Sequence, residues 1–267
     1  MCELFGISCA RKRAVNRMLS EFFSHGDNHP HGWGMALFDG SDVQLEKQPV
    51  NSCESAYLQQ RLESVIEADT MVAHIRLATQ GIMNYDNTHP FVMQDCTGRA
   101  WTQVHNGTIY KDDILREYEP RQRGGTDSER ILLHIVNQVN AQTAQARRPL
   151  DVSDRFAVVD TVIREITPDN KVNLLLYDGE LLYVHSNLAK SLYQSVSTDG
   201  IVISTKPLIS GGPWRAVPRQ QLVAYRKGTL AAVGTRHDNE FNEPDNIEHQ
   251  QLLDYAERYL RPAAGMM

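Results

Sequence analysis

Two of the three Asp-Gly dipeptides do most to limit how this chain can fold. Each sits in the middle of a long strand-forming run: GWGMALFDGSDVQLEKQ (32–48) around Asp39-Gly40, and KVNLLLYDGELLYVHS (171–186) around Asp178-Gly179. Asp-Gly accepts the positive φ of a type I′ turn, whose twist matches that of the strands it joins, so both runs are expected as antiparallel hairpins. LFGIS (4–8), TMVAHIRLA (70–78), AWTQVHNGTI (100–109), GIVISTKPL (200–208) and QLVAYRKGTLAAV (221–233) add further strands, several of them too apolar to have one face in water.

Four segments carry the helical period instead: RAVNRMLSEFF (13–23), CESAYLQQRLESVIEA (53–68), SERILLHIVNQVN (128–140) and SDRFAVVDTVIREI (153–166). Ile131, Leu132, Ile135, Val136 and Val139 share one face of the third. Phe156, Val159, Val162, Ile163 and Ile166 share one face of the fourth. Largely apolar strands with one-sided helices imply two packed sheets flanked by helices, an α+β sandwich. No repeat or low-complexity linker marks a boundary, and 267 residues fit one domain. HDNEFNEPDNIEH (237–249) is expected as a surface loop and the tail after Pro262 as a frayed end.

A hydrophobic content of 41% and a net charge of −6 fit a folded protein and oppose binding to nucleic acid or anionic lipid. There is no apolar run of membrane-spanning length and no secretory layout at the start, which makes a cytoplasmic location the expectation. The cysteines, at 2, 9, 53 and 96, form no CxxC pair and are expected as free thiols.

Position 2 carries the first chemical signal. With Met1 removed, Cys2 would hold a thiol and an α-amine, and an amine of pKa about 7.7–8.0 is a usable base near neutrality. The competing interpretation is a small apolar residue in a strand. In VHNGTI (104–109), Asn106-Gly107 is either a turn or a pair of donors, the Asn amide and the Gly N–H, aimed at an oxyanion. In AHIRLATQG (73–81), Arg76 lies in an apolar strand, so it needs either a structural ion pair or a ligand carboxylate, to which the Thr79 hydroxyl could add a bond. In GGTDSERILLHIV (124–136), Thr126 and Glu129 have capping-box spacing, leaving Asp127 in the first helical turn. Asp127 either serves the helix dipole or receives a substrate ammonium. His25, His29 and His31 crowd HGDNHPHGWG (25–34), but no supporting ligand pair makes them a metal site, and neither metal nor cofactor is expected.

Taken together, a terminal thiol with its own base, two oxyanion donors, a guanidinium and a carboxylate describe a site for glutamine or another γ-glutamyl compound. Cys2, AHIRLATQG, THPF (88–91), VHNGTI and GGTDSE, in that order, resemble the class II glutamine amidotransferase domain of the N-terminal nucleophile hydrolases, and especially its small stand-alone YafJ-type members. The resemblance spans residues 2–250 and leaves 251–267 as a C-terminal helix and tail. It implies a four-layer αββα sandwich of antiparallel sheets, with Cys2 as nucleophile, Asn106 and Gly107 as oxyanion hole, Arg76 and Thr79 on the substrate α-carboxylate, and Asp127 on its α-ammonium. Leu77 and Gln80 stand where larger relatives carry Trp and His, so the pocket wall differs. The expected activity is hydrolysis of a γ-glutamyl amide through a Cys thioester, releasing glutamate and ammonia or an amine. No room remains for a synthase domain, so the chain is expected either to serve a separate synthase subunit or to act alone as a γ-glutamyl amide hydrolase. A non-catalytic module binding an amino acid or a partner is the alternative.

Overall fold

A computed structural model describes residues 2–40, 42–243 and 247–260. Among these residues, strands β1 (Glu3–Ala14), β2 (Trp33–Asp39), β3 (Asp42–Gln48), β4 (Glu67–Ile75), β9 (Tyr193–Ser197), β10 (Gly200–Ser204) and β11 (Trp214–Ala216) form one sheet in the order β11-β9-β10-β1-β4-β2-β3. Strands β5 (Phe91–Gln94), β6 (Ala100–Thr108), β7 (Lys171–Tyr177), β8 (Leu182–His185), β12 (Val223–Arg226) and β13 (Thr229–Val233) form a second, ordered β13-β12-β8-β7-β6-β5. Every ladder is antiparallel. Both hairpins form, but not through Asp-Gly type I′ turns, because only the glycine of each pair takes a positive φ: Asp39 pairs with Asp42 across Gly40 at φ +62°, and Tyr177 pairs with Leu182 across a loop holding Gly179 at φ +87°.

Alternation along the strands creates three apolar layers. Phe5, Ile7 and Cys9 of β1 face away from the second sheet and are covered by Met18, Leu19, Phe22 and Phe23 of α1 (Asn16–Phe23) and Leu58 of α2 (Ala56–Glu63). Leu4, on the opposite face of the same strand, packs with Val72, Val104, Leu175 and Ile203 between the sheets. Ile131, Leu132, Ile135, Val136 and Val139 of α3 (Asp127–Ala146), with Val159, Val162, Ile163 and Ile166 of α4 (Val152–Ile166), cover the outer face of the second sheet. The result is the αββα sandwich. No described helix is long and apolar enough to cross a membrane.

Three elements depart from expectation. The second predicted helix ends at Glu63, and Val65 to Ala68 instead lead into β4, where β-branched residues join the sheet. Phe156 is only half-buried, while its neighbour Arg155 is buried through ion pairs to Asp178 (2.7 Å) and Glu180 (2.8 Å). The segment expected as a surface loop is pinned down over 237–243: His237 is buried against His185, and Phe241 bridges to Leu188. Its end, from Ile247, belongs to α5 (Ile247–Tyr255), which continues as a π-helical turn, Ala256–Leu260. The tail after Pro262 lies outside the described residues.

Candidate active site

The Glu3–Ile75 pairing of β1 with β4 sets Cys2 beside the point where the chain leaves β4. The Leu77 N–H donates to Cys2 Sγ (3.3 Å), and the thiol in turn reaches the Leu77 carbonyl (3.4 Å). Burial pushes the thiol pKa up, against the pull of the Leu77 amide, Arg76 and Lys171, so the resting sulfur keeps its proton. The next residue, Glu3, is buried and held by His25 (2.7 Å), His29 (3.7 Å) and the Lys206 ammonium. Desolvation alone would raise its pKa; the bonds from His25 and Lys206 outweigh it and leave the carboxyl below its ordinary range.

His31, third of the clustered histidines, accepts a bond from the Ala78 N–H through Nδ1 (2.8 Å) and so fixes the loop that touches Cys2. Burial, then Arg76 and His29, lower its pKa to about 4, which keeps the ring neutral and able to accept. The histidine cluster therefore anchors Glu3 and the 77–79 loop. Among the described residues no three His, Cys, Asp or Glu side chains are grouped to hold a metal ion.

From the other sheet comes the Asn-Gly pair. It is not a turn: Asn106 and Gly107 lie within β6, opposite Asn173 and Val172 of β7. Asn106 is 2% exposed, and its Nδ2 meets no hydrogen-bond partner among the described residues. A Cβ on Gly107 would lie 1.9 Å from the Lys171 carbonyl oxygen, so any side chain there would part the strands. Thr126 caps α3, accepting from the Glu129 N–H (3.3 Å). The reciprocal half of the expected capping box is absent, because the Glu129 carboxylate accepts from Arg123 and Gly124 N–H instead (2.8 and 2.9 Å). Asp127 is buried and accepts from the Ile109 and Ser128 N–H groups, both at 2.8 Å, tying the helix start to the end of β6.

Arg76 is 2% exposed, yet no carboxylate lies within ion-pair distance among the described residues. Its guanidinium donates to the carbonyls of Gln80 (2.7 Å), Gly81 (3.0 Å) and Ile82 (3.2 Å), so loop dipoles take the place of a structural ion pair. Burial lowers its pKa, while Cys2, Tyr255, Asp127 and Tyr259 act in the opposite direction. Arg76 thus interacts electrostatically with the sulfur, the Asp127 carboxylate and two phenols. Thr79 lines a cavity of about 290 Å³ with Gln80, Thr108, Tyr110, Gln251 and Tyr255. Two larger hollows, about 330 Å³ between α3 and α4 and about 360 Å³ at the tips of the β2–β3, β5–β6 and β7–β8 hairpins, lie away from these residues.

Two features escaped the sequence reading. Lys171, opposite Thr108, is buried and ion-paired with Glu243 at 2.7 Å; burial lowers its pKa while Glu243 and Cys2 oppose the shift. A lysine at the start of a strand is ordinary in sequence, so no signal there marked it. The other is the place of the expected C-terminal helix in the site: its Gln251 and Tyr255 line the cavity.

The sequence profile of the class II glutamine amidotransferases matches residues 1–197. YafJ of Escherichia coli (strain K12) is 27% identical over 243 residues, covering 81% of this chain and 94% of YafJ. The crystal structure of a predicted glutamine amidotransferase from Pseudomonas aeruginosa PA01 superposes with a TM-score of 0.61 at 21% identity, covering 86% of this chain and all of that one. Glutamine phosphoribosylpyrophosphate amidotransferase from B. subtilis superposes with a TM-score of 0.66 at 15% identity, covering 90% of this chain and 50% of that one. The profile match over most of its length shows that this chain belongs to the class II glutamine amidotransferases.

Proposed function

We propose that the protein hydrolyses a γ-glutamyl amide through a thioester on Cys2. Removal of Met1 frees the Cys2 α-amine, which takes the thiol proton as sulfur attacks the γ-carbonyl carbon. The Asn106 amide and Gly107 N–H hold the oxyanion. Collapse breaks the C–N bond, the protonated amine gives its proton to the departing nitrogen, and ammonia or an amine leaves. Water then adds to the thioester, the C–S bond breaks, glutamate departs and the thiol recovers its proton. Arg76 and Thr79 serve the substrate α-carboxylate and Asp127 its α-ammonium.

What supports this reading most is the Cys2 thiol held by the Leu77 amide beside Arg76, a guanidinium that interacts with both Cys2 and Asp127, together with a buried and unpartnered amide donor on Asn106. A thiol whose burial keeps it protonated needs a base within reach, and an adjacent free amine supplies one. Ammonia release from glutamine and amine release from γ-glutamyl peptides test the reading. Cys2→Ala is expected to abolish both while leaving the unfolding transition in place; turnover surviving in that variant contradicts it. Comparing the two substrates also separates an ammonia donor serving a synthase subunit from a hydrolase acting alone.

A further inference from the structure

The helix at the C-terminal end closes over the pocket and contributes a group that the catalytic scheme above leaves unused. Tyr255 is 2% exposed, its ring packs on His31 at 5.3 Å, and it lines the cavity shared with Thr79 and Gln80. Its hydroxyl has no hydrogen-bond partner among the described residues. A buried hydroxyl without a partner carries a real free-energy cost and calls for an explanation. Burial raises its pKa, and Arg76 lowers it in part, so the hydroxyl is protonated and can donate.

The helix is held in place without that hydroxyl. Gln251 Nε2 donates to Tyr110 Oη (2.8 Å), and Tyr110 stacks flat on Phe241 (5.5 Å, 5°). Glu243, just before the helix, is ion-paired with Lys171, and Tyr259 packs on Tyr255 at 5.0 Å. The unused hydroxyl is therefore free to serve something other than the helix's own attachment. Its electrostatic neighbour is the Arg76 guanidinium, a second donor and a cation, with the Thr79 hydroxyl on the same cavity wall. The Tyr255 and Thr79 hydroxyls line one cavity near a guanidinium, and the acceptor that best suits donors in such a setting is an anion. A carboxylate has four lone-pair sites and can satisfy all of them at once.

We infer that Tyr255 is a substrate-binding residue whose hydroxyl donates to the α-carboxylate of the γ-glutamyl substrate, so that the pocket is complete only when α5 is docked. The inference rests on the reading of Cys2 as a γ-glutamyl nucleophile. It adds a binding contact from a part of the chain outside the motifs, and it makes α5 one wall of the substrate site.

The test is calorimetric binding of L-glutamine, and of 4-aminobutyramide, which lacks the α-carboxylate, to full-length Cys2→Ala with Tyr255 intact or changed to Phe. Tyr255→Phe keeps the ring on His31 and removes only the hydroxyl. Glutamine affinity is expected to fall about 10-fold or more, the effect of a lost hydrogen bond to a charged group, while 4-aminobutyramide affinity stays level. The unfolding midpoint is expected to hold or rise, because an unsatisfied group has been removed; a merely structural tyrosine would lower it. Equal glutamine affinity in the two proteins overturns the role of Tyr255 and leaves the Cys2 reading standing. Failure of Cys2→Ala to bind glutamine or any γ-glutamyl amide overturns the Cys2 reading and this inference with it.

Discussion

The role proposed for Asn106 rests on a single buried atom. The residue belongs to β6, its backbone runs alongside Asn173, and the amide nitrogen at its tip is buried without a partner. In the proposed mechanism that nitrogen meets charge only as the tetrahedral intermediate forms. Asn106→Ala is therefore expected to lower kcat about 10²- to 10³-fold, about 2.7–4 kcal/mol, with a smaller change in KM. Steady-state kinetics on glutamine check this, and a loss below tenfold removes Asn106 from the oxyanion hole. Cys2, Arg76, Asn106 and Asp127 were legible in the sequence because their residue types are costly or unusual where they stand: a cysteine at position 2, a charge in an apolar strand, an amide before glycine, an acid in a capped first turn. Lys171 and Tyr255 were not. A lysine or tyrosine is ordinary in sequence, and becomes informative only once another element has buried it.

At the level of elements, the β7–β8 hairpin does more than the Asp-Gly signal conveys. Asp178 accepts from the Glu180 and Leu181 N–H groups (2.9 and 2.7 Å), which shapes the turn. Its second oxygen takes Arg155 Nε (2.7 Å) and Tyr183 Oη (2.9 Å), so the same carboxylate anchors α4 to the sheet. Asp178 is fully buried. Arg155→Met keeps the volume but strands that charge, and is expected to cost about 3–5 kcal/mol. Urea unfolding at unchanged m-value measures it, and a cost under about 1 kcal/mol shows the ion pair to be dispensable. The longer strands and the helices were readable because their periods of 2 and 3.6 repeat often enough to be seen. β5, β9 and β11 are four, five and three residues long, too short for a period, and went unread. Arg155 was unreadable for a different reason: its partners lie on a hairpin more than twenty positions away.

The whole molecule divides into a sandwich that positions the proposed nucleophile and a C-terminal segment that walls the cavity. The layers follow from patterning, since apolar strands with one-sided helices leave few ways to bury every face. The closure does not, because the Gln251–Thr108 and Gln251–Tyr110 contacts join positions more than 140 residues apart and depend on individual side chains. In the proposed mechanism Cys2 is the thiol reactive towards γ-glutamyl carbonyls, and Cys9, Cys53 and Cys96 are bystanders. Labelling with the glutamine-like electrophile 6-diazo-5-oxo-L-norleucine, followed by peptide mass mapping, tests that most directly. The expected result is one adduct per chain, on Cys2 of an N-terminal peptide lacking Met1, suppressed by added glutamine. An adduct on Cys9, Cys53 or Cys96, or a chain that retains Met1 and remains unlabelled, contradicts it.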